Sequence, residues 1–434
     1  MVSHEVTKPS RRGLVVRILR VLLPNNSIIE RDANFRRLFL GESVSYFGTN
    51  VSTVVLPLVA VLSLHASVLQ MGVLGALQFA PYLLLSPFAG IAADRHRRRR
   101  IGVIANAGRA VMLGSIAVLA IIGLLSMFSL YVIALLVSSL GVFFDAAFWP
   151  FIRTLVQESD LVDANSKLIS TQSAATMVGP GIGGILVEAF TAPVAMLANA
   201  ASYLFSTLQL VRIQVAEETQ DVDGRATSLG RELSRGFHVI FRSRVLLGLL
   251  GEMTTYNMFF QMIIAIFFVY TVRQLEMSTF WIGAALSFGG VGALAGATLV
   301  PRIAARVAVG RMLLSAMFVG NSAWLMLALL HTPGALDFPI LALMFLLDGF
   351  GSGVANVLTI SIRQTAIPKD ILGSGMASGR TIGYGIAPMG ALLGGVLGST
   401  MGLWPTLVVG AVGIFASSFW VLFSPVPRIR TLTT

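Results

Sequence analysis

Between Gly90 and Arg100 a long apolar run ends against one acid and five arginines, in the order Gly-Ile-Ala-Ala-Asp-Arg-His-Arg-Arg-Arg-Arg. Hydrocarbon does not accept such a stretch, because each charge at mid-helix costs roughly 2.5 to 3.5 kcal/mol on insertion scales. The stretch therefore reads as a loop on one side of a membrane. The rest of the chain agrees, since 55% of its residues are hydrophobic and only 12% are charged. A mean hydropathy of +0.82 is far too high for a soluble globular domain. The chain is expected to be a polytopic membrane protein. At roughly 20 apolar residues per crossing plus loops, its 434 residues accommodate about twelve helices.

Apolar segments fall near residues 37–63, 70–93, 101–124, 128–152, 166–190 and 193–212, then near 245–272, 278–300, 311–331, 338–362, 371–399 and 402–424. Residues 1–34 are polar and basic, and Arg17 and Arg20 interrupt the apolar stretch Gly13 to Leu23. They break any signal-peptide core and point to a short interfacial amphipathic helix. The one long polar break, Gln214 to Arg242, holds Glu217, Glu218, Asp221, Asp223 and several arginines, and its second part is expected to lie on the membrane surface. With the N-terminus inside, 28 of the 31 Lys and Arg residues fall on inner segments; Arg273 lies outside, and Arg109 and Arg380 fall within helices. That asymmetry puts both termini in the cytoplasm and requires an even number of helices.

The pattern Gly90, three residues, Asp94-Arg95, two residues, Arg98-Arg99 resembles the loop between helices 2 and 3 of the major facilitator superfamily. In that family the loop forms a charged latch between two helical bundles on the cytoplasmic face. The resemblance gives Gly90 the turn and Asp94, Arg95, Arg98 and Arg99 the latch. Arg97 stands where the family usually has a second glycine. The plainer alternative is an ordinary positive-inside loop. Internal repetition points the same way. Gly41-Glu42 with Tyr46 recurs 210 residues later as Gly251-Glu252 with Tyr256, and Arg153 recurs as Arg363 at the same offset. Pro180 and Pro388, each in a glycine-rich segment, are 208 apart. The expected fold is an all-α membrane protein of twelve transmembrane helices in two pseudo-symmetric six-helix bundles. Its parts are a basic segment 1–34, a first bundle 35–213, a linker 214–243, a second bundle 244–425 and a tail 426–434.

Gly179-Pro180-Gly181-Ile182-Gly183-Gly184 resembles the signature that accompanies antiporters in the superfamily, with Ala175 replacing the family's preceding glycine. Pro180 removes a backbone donor and bends the helix, and the glycines let a neighbouring helix approach closely. A generic glycine-rich packing face is the alternative.

Depth sorts the ionisable residues inside the apolar segments, at 1.5 Å per residue. Glu42 lies about 7 Å in from Arg37, where neutralising the interface would suffice. Asp145 lies about 12 Å from the inner end of helix 4 and is expected to join the latch with Arg98 or Arg109 rather than carry protons. Glu252 and Arg380, at comparable depth, are a candidate ion pair. Asp348 lies about 22 Å from the inner end, with no basic residue at matching depth. On helix 10, a cavity-lining helix in the superfamily, it would load and release a proton as its exposure changes. The alternative is a carboxyl that stays protonated and hydrogen-bonds a neighbour.

Glycine-rich stretches such as Gly349 to Gly353 lie in apolar helices and lack the Lys-Ser/Thr that would hold phosphate. The five histidines do not cluster as ligands, and there are no cysteines. Neither cofactor nor metal is expected, nor an enzyme activity. The net charge of +11 suits a membrane surface rather than nucleic acid, because the charges fall in loops between apolar runs. The run Leu358 to Gly373, followed by Gly394-Gly395, is similar to the branch of the superfamily that holds the enterobactin exporter and macrolide efflux pumps. The resemblance implies a secondary transporter of the inner (cytoplasmic) membrane. It would act as a monomer and export a small amphipathic molecule in exchange for protons. A lipid or lysolipid flippase or facilitator, uptake by proton symport, and a non-transporting receptor on the same bundles remain open.

Overall fold

The computed structural model describes residues 28–215, 217, 237–304, 307–368 and 371–431. The basic stretch 1–27, most of the 214–243 linker and Lys369 lie outside the described residues; 237–242 form a short helical turn.

A short turn, Ile28–Arg31, leads into twelve long helical segments. The first six are α1 (Ala33–Leu58, continued by the π-helical turn Val59–Ser63), α2 (Val68–Arg95), α3 (Arg98–Ile121), α4 (Met127–Leu155), α5 (Leu161–Ala189) and α6 (Ala192–Val211). The second six are α7 (Arg244–Arg273), α8 (Thr279–Ala304), α9 (Val309–Ala323, closing in the 3-10 turn Trp324–Leu329), α10 (Asp337–Ala366), α11 (Leu372–Gly385 and Ala387–Thr400, broken at Ile386 beside Pro388) and α12 (Leu403–Leu422). Polar side chains mark where the helices begin. Asp32 accepts from the amides of Asn34 and Phe35, and Ser67 with Gln70 and Ser126 with Ser129 form reciprocal caps that satisfy the free amides of α2 and α4.

Among the described residues, eleven of the twelve are long and apolar enough to cross a membrane; α5 is the exception. Its first half, with Asp163, Lys167, Ser170, Thr171, Gln172 and Ser173, is polar. Much of this half is not covered by neighbouring helices: Ser170, Gln172 and Ser173 are exposed, Gln172 lines a central cavity, and the close glycine contacts of α5 with α1 and α8 begin only near Met177. Each half repeats the same neighbours: α1 packs on α6 and α3 on α6 in the first, α7 on α12 and α9 on α12 in the second. The protein is a multi-pass membrane protein of two pseudo-symmetric six-helix bundles.

The bundles meet through α5 against α8 and α2 against α11. Both seams are made of small residues. A Cβ added at Gly72 of α2 would come within 2.7 Å of the Gly395 Cα of α11, so only glycine permits this approach. These contacts lie at the ends of α2, α5, α8 and α11 farthest from the Gly90–Arg100 loop. Toward that loop, Leu84 and Phe88 of α2 and Val162 and Ile169 of α5 are exposed. The close glycine contacts between the bundles thus gather on the face opposite the basic stretch.

Candidate functional site

Two adjoining cavities, of about 400 and 410 Å³, occupy the middle of the molecule and share Asn50, Thr53, Gln78 and Phe79 in their walls. The one toward the second bundle is walled by Phe260, Phe268, Phe345 and Leu286, with Asp348 as its one ionisable residue. The one toward the first bundle is polar, with Glu42, Tyr82, Arg109, Asp145, Gln172 and Asn199 in its wall.

Asp348 is held by two neutral donors. Tyr256 Oη donates to its Oδ1 at 3.0 Å and Trp324 Nε1 at 2.9 Å. Aromatic packing fixes both donors: Tyr256 stacks on Phe260 with centroids 5.6 Å apart, and the wholly buried Trp324 meets Phe260 and Phe345 edge to face. No basic side chain is hydrogen-bonded to Asp348 among the described residues.

Asp145 takes a similar partner in the other half, since Tyr82 Oη donates to its Oδ2 at 2.9 Å. The ion pair expected of Asp145 with Arg98 or Arg109 is not formed in this conformation. Arg98 turns to the Pro150 carbonyl and Thr154. Arg109, 7% exposed, is pressed between the faces of Phe144 and Tyr203, with its carbon 5.1 Å from each ring centroid, and its Nε is left without a partner. It acts on Asp145 only through space.

Glu42 does not sit at an interface. It is 1% exposed and accepts from Ser206 Oγ of α6 at 2.7 Å, while Asn106 Nδ2 of α3 donates to that same Ser206 at 3.0 Å. Its side chain points inward to α6, whereas its place in the sequence led to an expectation of the interface. Glu252 occupies the equivalent place on α7. Its polar neighbour is Asn321 of α9, which in turn donates to Ser417 and Ser418 of α12 at 3.1 and 2.9 Å. The first bundle thereby ties its first, third and sixth helices together through Glu42, Asn106 and Ser206; in the second the hydrogen bonds of Asn321 join α9 to α12, with Glu252 of α7 in the same cavity wall as Asn321. Among the described residues no ion pair joins Glu252 to the expected Arg380; Arg363 lines a small cavity with Glu252 and turns to the Leu249 carbonyl and Met253 Sδ of α7. Arg380 lines the same small cavity but stands exposed on α11.

On the basic face Asp94 and Arg95 are exposed, and no ion pair reaches them among the described residues. Arg99 donates to the Leu210 and Val211 carbonyls at 3.0 and 2.6 Å, and Glu217 accepts from the backbone amides of Arg98 and Arg99 at the start of α3. Gly90 is not at a turn but inside α2, with open space beside it: α2 runs on to Arg95 and α3 starts at Arg98, so the loop expected over 90–100 narrows to His96 and Arg97. Gly179 and Gly183 face α1, and Pro180 and Gly184 face α8. No group of three or more candidate metal ligands occurs among the described residues.

Tyr82, Tyr256, Trp324, Asn106, Ser206 and Asn321 were not singled out in the sequence. Tyr256 carried a signal in the 210-residue repeat; the others are single polar or aromatic residues in apolar runs.

A family model described as Major Facilitator Superfamily matches residues 38–388. The chain is similar to the multidrug efflux pump Tap of Mycolicibacterium fortuitum, 25% identical over 404 residues, which is 89% of this chain and 93% of that protein. Tap of Mycobacterium tuberculosis is 24% identical over 88% of this chain and 91% of its own length. Among solved structures, the nucleoside transporter NupG (D323A mutant) superposes with a TM-score of 0.72 at 11% identity, covering 90% of this chain and 99% of that one. A bacterial homologue of the iron transporter ferroportin in an inward-facing state gives 0.69 at 15% identity, covering 90% and 98%. At these identities the solved structures speak for the fold alone.

Proposed function

The chain belongs to the Major Facilitator Superfamily, whose members are transporters of small molecules across membranes, and from that premise we propose that it is a secondary active exporter of a small amphipathic organic molecule, driven by proton antiport through alternating access. Asp348 carries the coupling half of this reading. It is a carboxyl in a cavity wall, held by two neutral donors and opposed by no cation, so protonation relieves its burial and opening to water favours ionisation. The cargo half draws support from the paired cavities, one apolar and aromatic, the other polar, which suit a molecule with both characters. Similarity to efflux pumps over nearly the whole chain favours export.

With 28 of 31 basic residues on its side, the face of the Gly90–Arg100 loop is the cytoplasmic one, and both termini lie there. The membrane is the cell's inner membrane, the unit is the monomer, and the conformation described here is open inward. Asp94, Arg95, Arg98 and Arg99 form the latch that closes when the molecule turns outward, which fits an Asp94 left free in this state. Gly179, Pro180, Gly183 and Gly184 seal the outer half against α1 and α8.

Everted vesicles loaded with a lipophilic fluorescent dye test the reading. Accumulation that needs a proton gradient and collapses with a protonophore is expected. Movement that ignores the gradient would leave a facilitator or flippase instead.

A further inference from the structure

We propose that Glu188, at the end of α5, is the latch that holds the transporter shut on the face opposite the basic loop. Thr279 Oγ1, at the start of α8, donates to Glu188 Oε2 at 2.8 Å and also reaches the Gly184 carbonyl at 3.2 Å. The backbone N–H of Phe280 donates to the same Oε2 at 3.3 Å. The carboxylate of one bundle thereby caps the first turn of a helix of the other, where the free amides and the helix dipole both favour an anion. Thr279 is 8% exposed, so its hydroxyl has little water to turn to.

The surrounding seam makes this contact a gate. Deeper along the same two helices, Ser287 Oγ accepts from the Gly181 N–H at 2.9 Å, and a Cβ on Gly283 would meet the Gly184 Cα at 3.0 Å. Outward opening has to part α5 from α8, and it cannot do so while Glu188 is bonded to α8. Asp94 shows the complementary condition, being exposed and unpaired here. The two acids take turns: Glu188 holds the state described, and Asp94 holds the opposite one. A few charge-assisted hydrogen bonds bias such an equilibrium without locking it.

This inference rests on alternating access alone, not on the cargo or the coupling ion, so its test uses neither. The chain has no cysteine, so a single Thr53→Cys substitution places one thiol in the wall shared by both cavities. In right-side-out vesicles, a membrane-impermeant maleimide applied to the outer face should label it slowly. Glu188 is itself exposed, so water screens its bonds, and adding Glu188→Ala should raise that rate roughly two- to fivefold and lower the rate from the basic face of everted vesicles. Thr279→Val, which leaves the Phe280 N–H in place, should give a smaller rise. Combining the two should give less than the sum of their separate rises, because they share the Thr279–Glu188 bond, while Thr279→Val also removes the contact with the Gly184 carbonyl. Unchanged outer labelling in Glu188→Ala, additive effects in the double variant, or faster labelling from both faces at once would each overturn the proposal. Failure of proton-driven dye transport alongside the expected labelling would remove the export reading and leave the gate.

Discussion

Tyr256 on α7 donates its hydroxyl to Asp348 on α10 at 3.0 Å, joining two cavity-lining helices through a carboxyl with no basic partner. Asp348→Asn keeps an acceptor at the same place for both Tyr256 and Trp324 and fixes the side chain neutral. The variant should therefore fold and bind cargo, retain downhill exchange, and lose uphill accumulation in everted vesicles. Uphill transport equal to the parent, together with failure of Glu252→Gln or Glu42→Gln, would move the coupling site to one of those acids.

Tyr256→Phe separates the hydrogen bond from the packing. The ring still stacks on Phe260, but one of the two donors to Asp348 is gone. A hydrogen bond to a charged group is worth roughly 1.5 to 3 kcal/mol, so uphill accumulation should slow by about tenfold or more with little change in thermal stability. An unaltered rate would mean that Trp324 alone supplies what Asp348 needs.

Helix number, the two-fold repeat and the basic face were legible because all three follow from one-dimensional patterns. Hydropathy marks crossings, loop charge marks sides, and a constant offset marks duplication. Residue counting also made Asp348 legible as a carboxyl with no basic residue at a matching count along the helices. The direction in which a side chain points was not. Glu42, expected at the interface, faces inward onto Ser206, 164 residues away. Asp145 lies level with Arg109 and yet takes the hydroxyl of Tyr82 from another helix. Arg380 and Arg363 illustrate the same limit: Arg363, near the end of α10, turns to the Leu249 carbonyl and Met253 of α7 and lines the cavity that Glu252 lines, while Arg380 is exposed on α11. Only packing decides which of two residues at one depth is the neighbour.

Gly183 tests the α5 seam. A Cβ there would come within 2.8 Å of the Val51 carbonyl and 3.4 Å of the Val54 Cβ, both on α1. Gly183→Leu should therefore force α5 from α1, costing about 1 to 3 kcal/mol or more as overpacking, and make the protein leaky or inactive. Proton-flux and dye-transport assays on the same vesicles would show it. Normal gradient-coupled export would reduce the glycine-proline signature to ordinary packing.

Asp94 tests the latch on the other face. It is exposed and free of ion pairs in this conformation, so Asp94→Asn should leave insertion and thermal stability within about 0.5 kcal/mol of the parent. Turnover should fall, because the variant lacks the charge that closes the basic face in the outward state. Full transport by Asp94→Asn would remove the latch from the cycle and leave the loop with orientation in the membrane as its role.

Ser206 sits where the first bundle has least freedom. It is wholly buried, gives its hydrogen to Glu42 at 2.7 Å and accepts from Asn106 at 3.0 Å, so one hydroxyl ties α1, α3 and α6 together. Ser206→Ala removes both bonds and leaves buried polar groups short of a partner, a cost of roughly 1 to 3 kcal/mol. The second bundle divides the same task between Ser417 and Ser418, both of which accept from Asn321. Loss of either serine leaves Asn321 one acceptor, so Ser417→Ala should destabilise less than Ser206→Ala. Thermal unfolding in detergent, followed by tryptophan fluorescence, should place the midpoint of Ser206→Ala below that of Ser417→Ala, and both below the parent. If the two serines prove equally dispensable, the acid, asparagine and serine sets are by-products of the duplication and not the ties that hold each bundle.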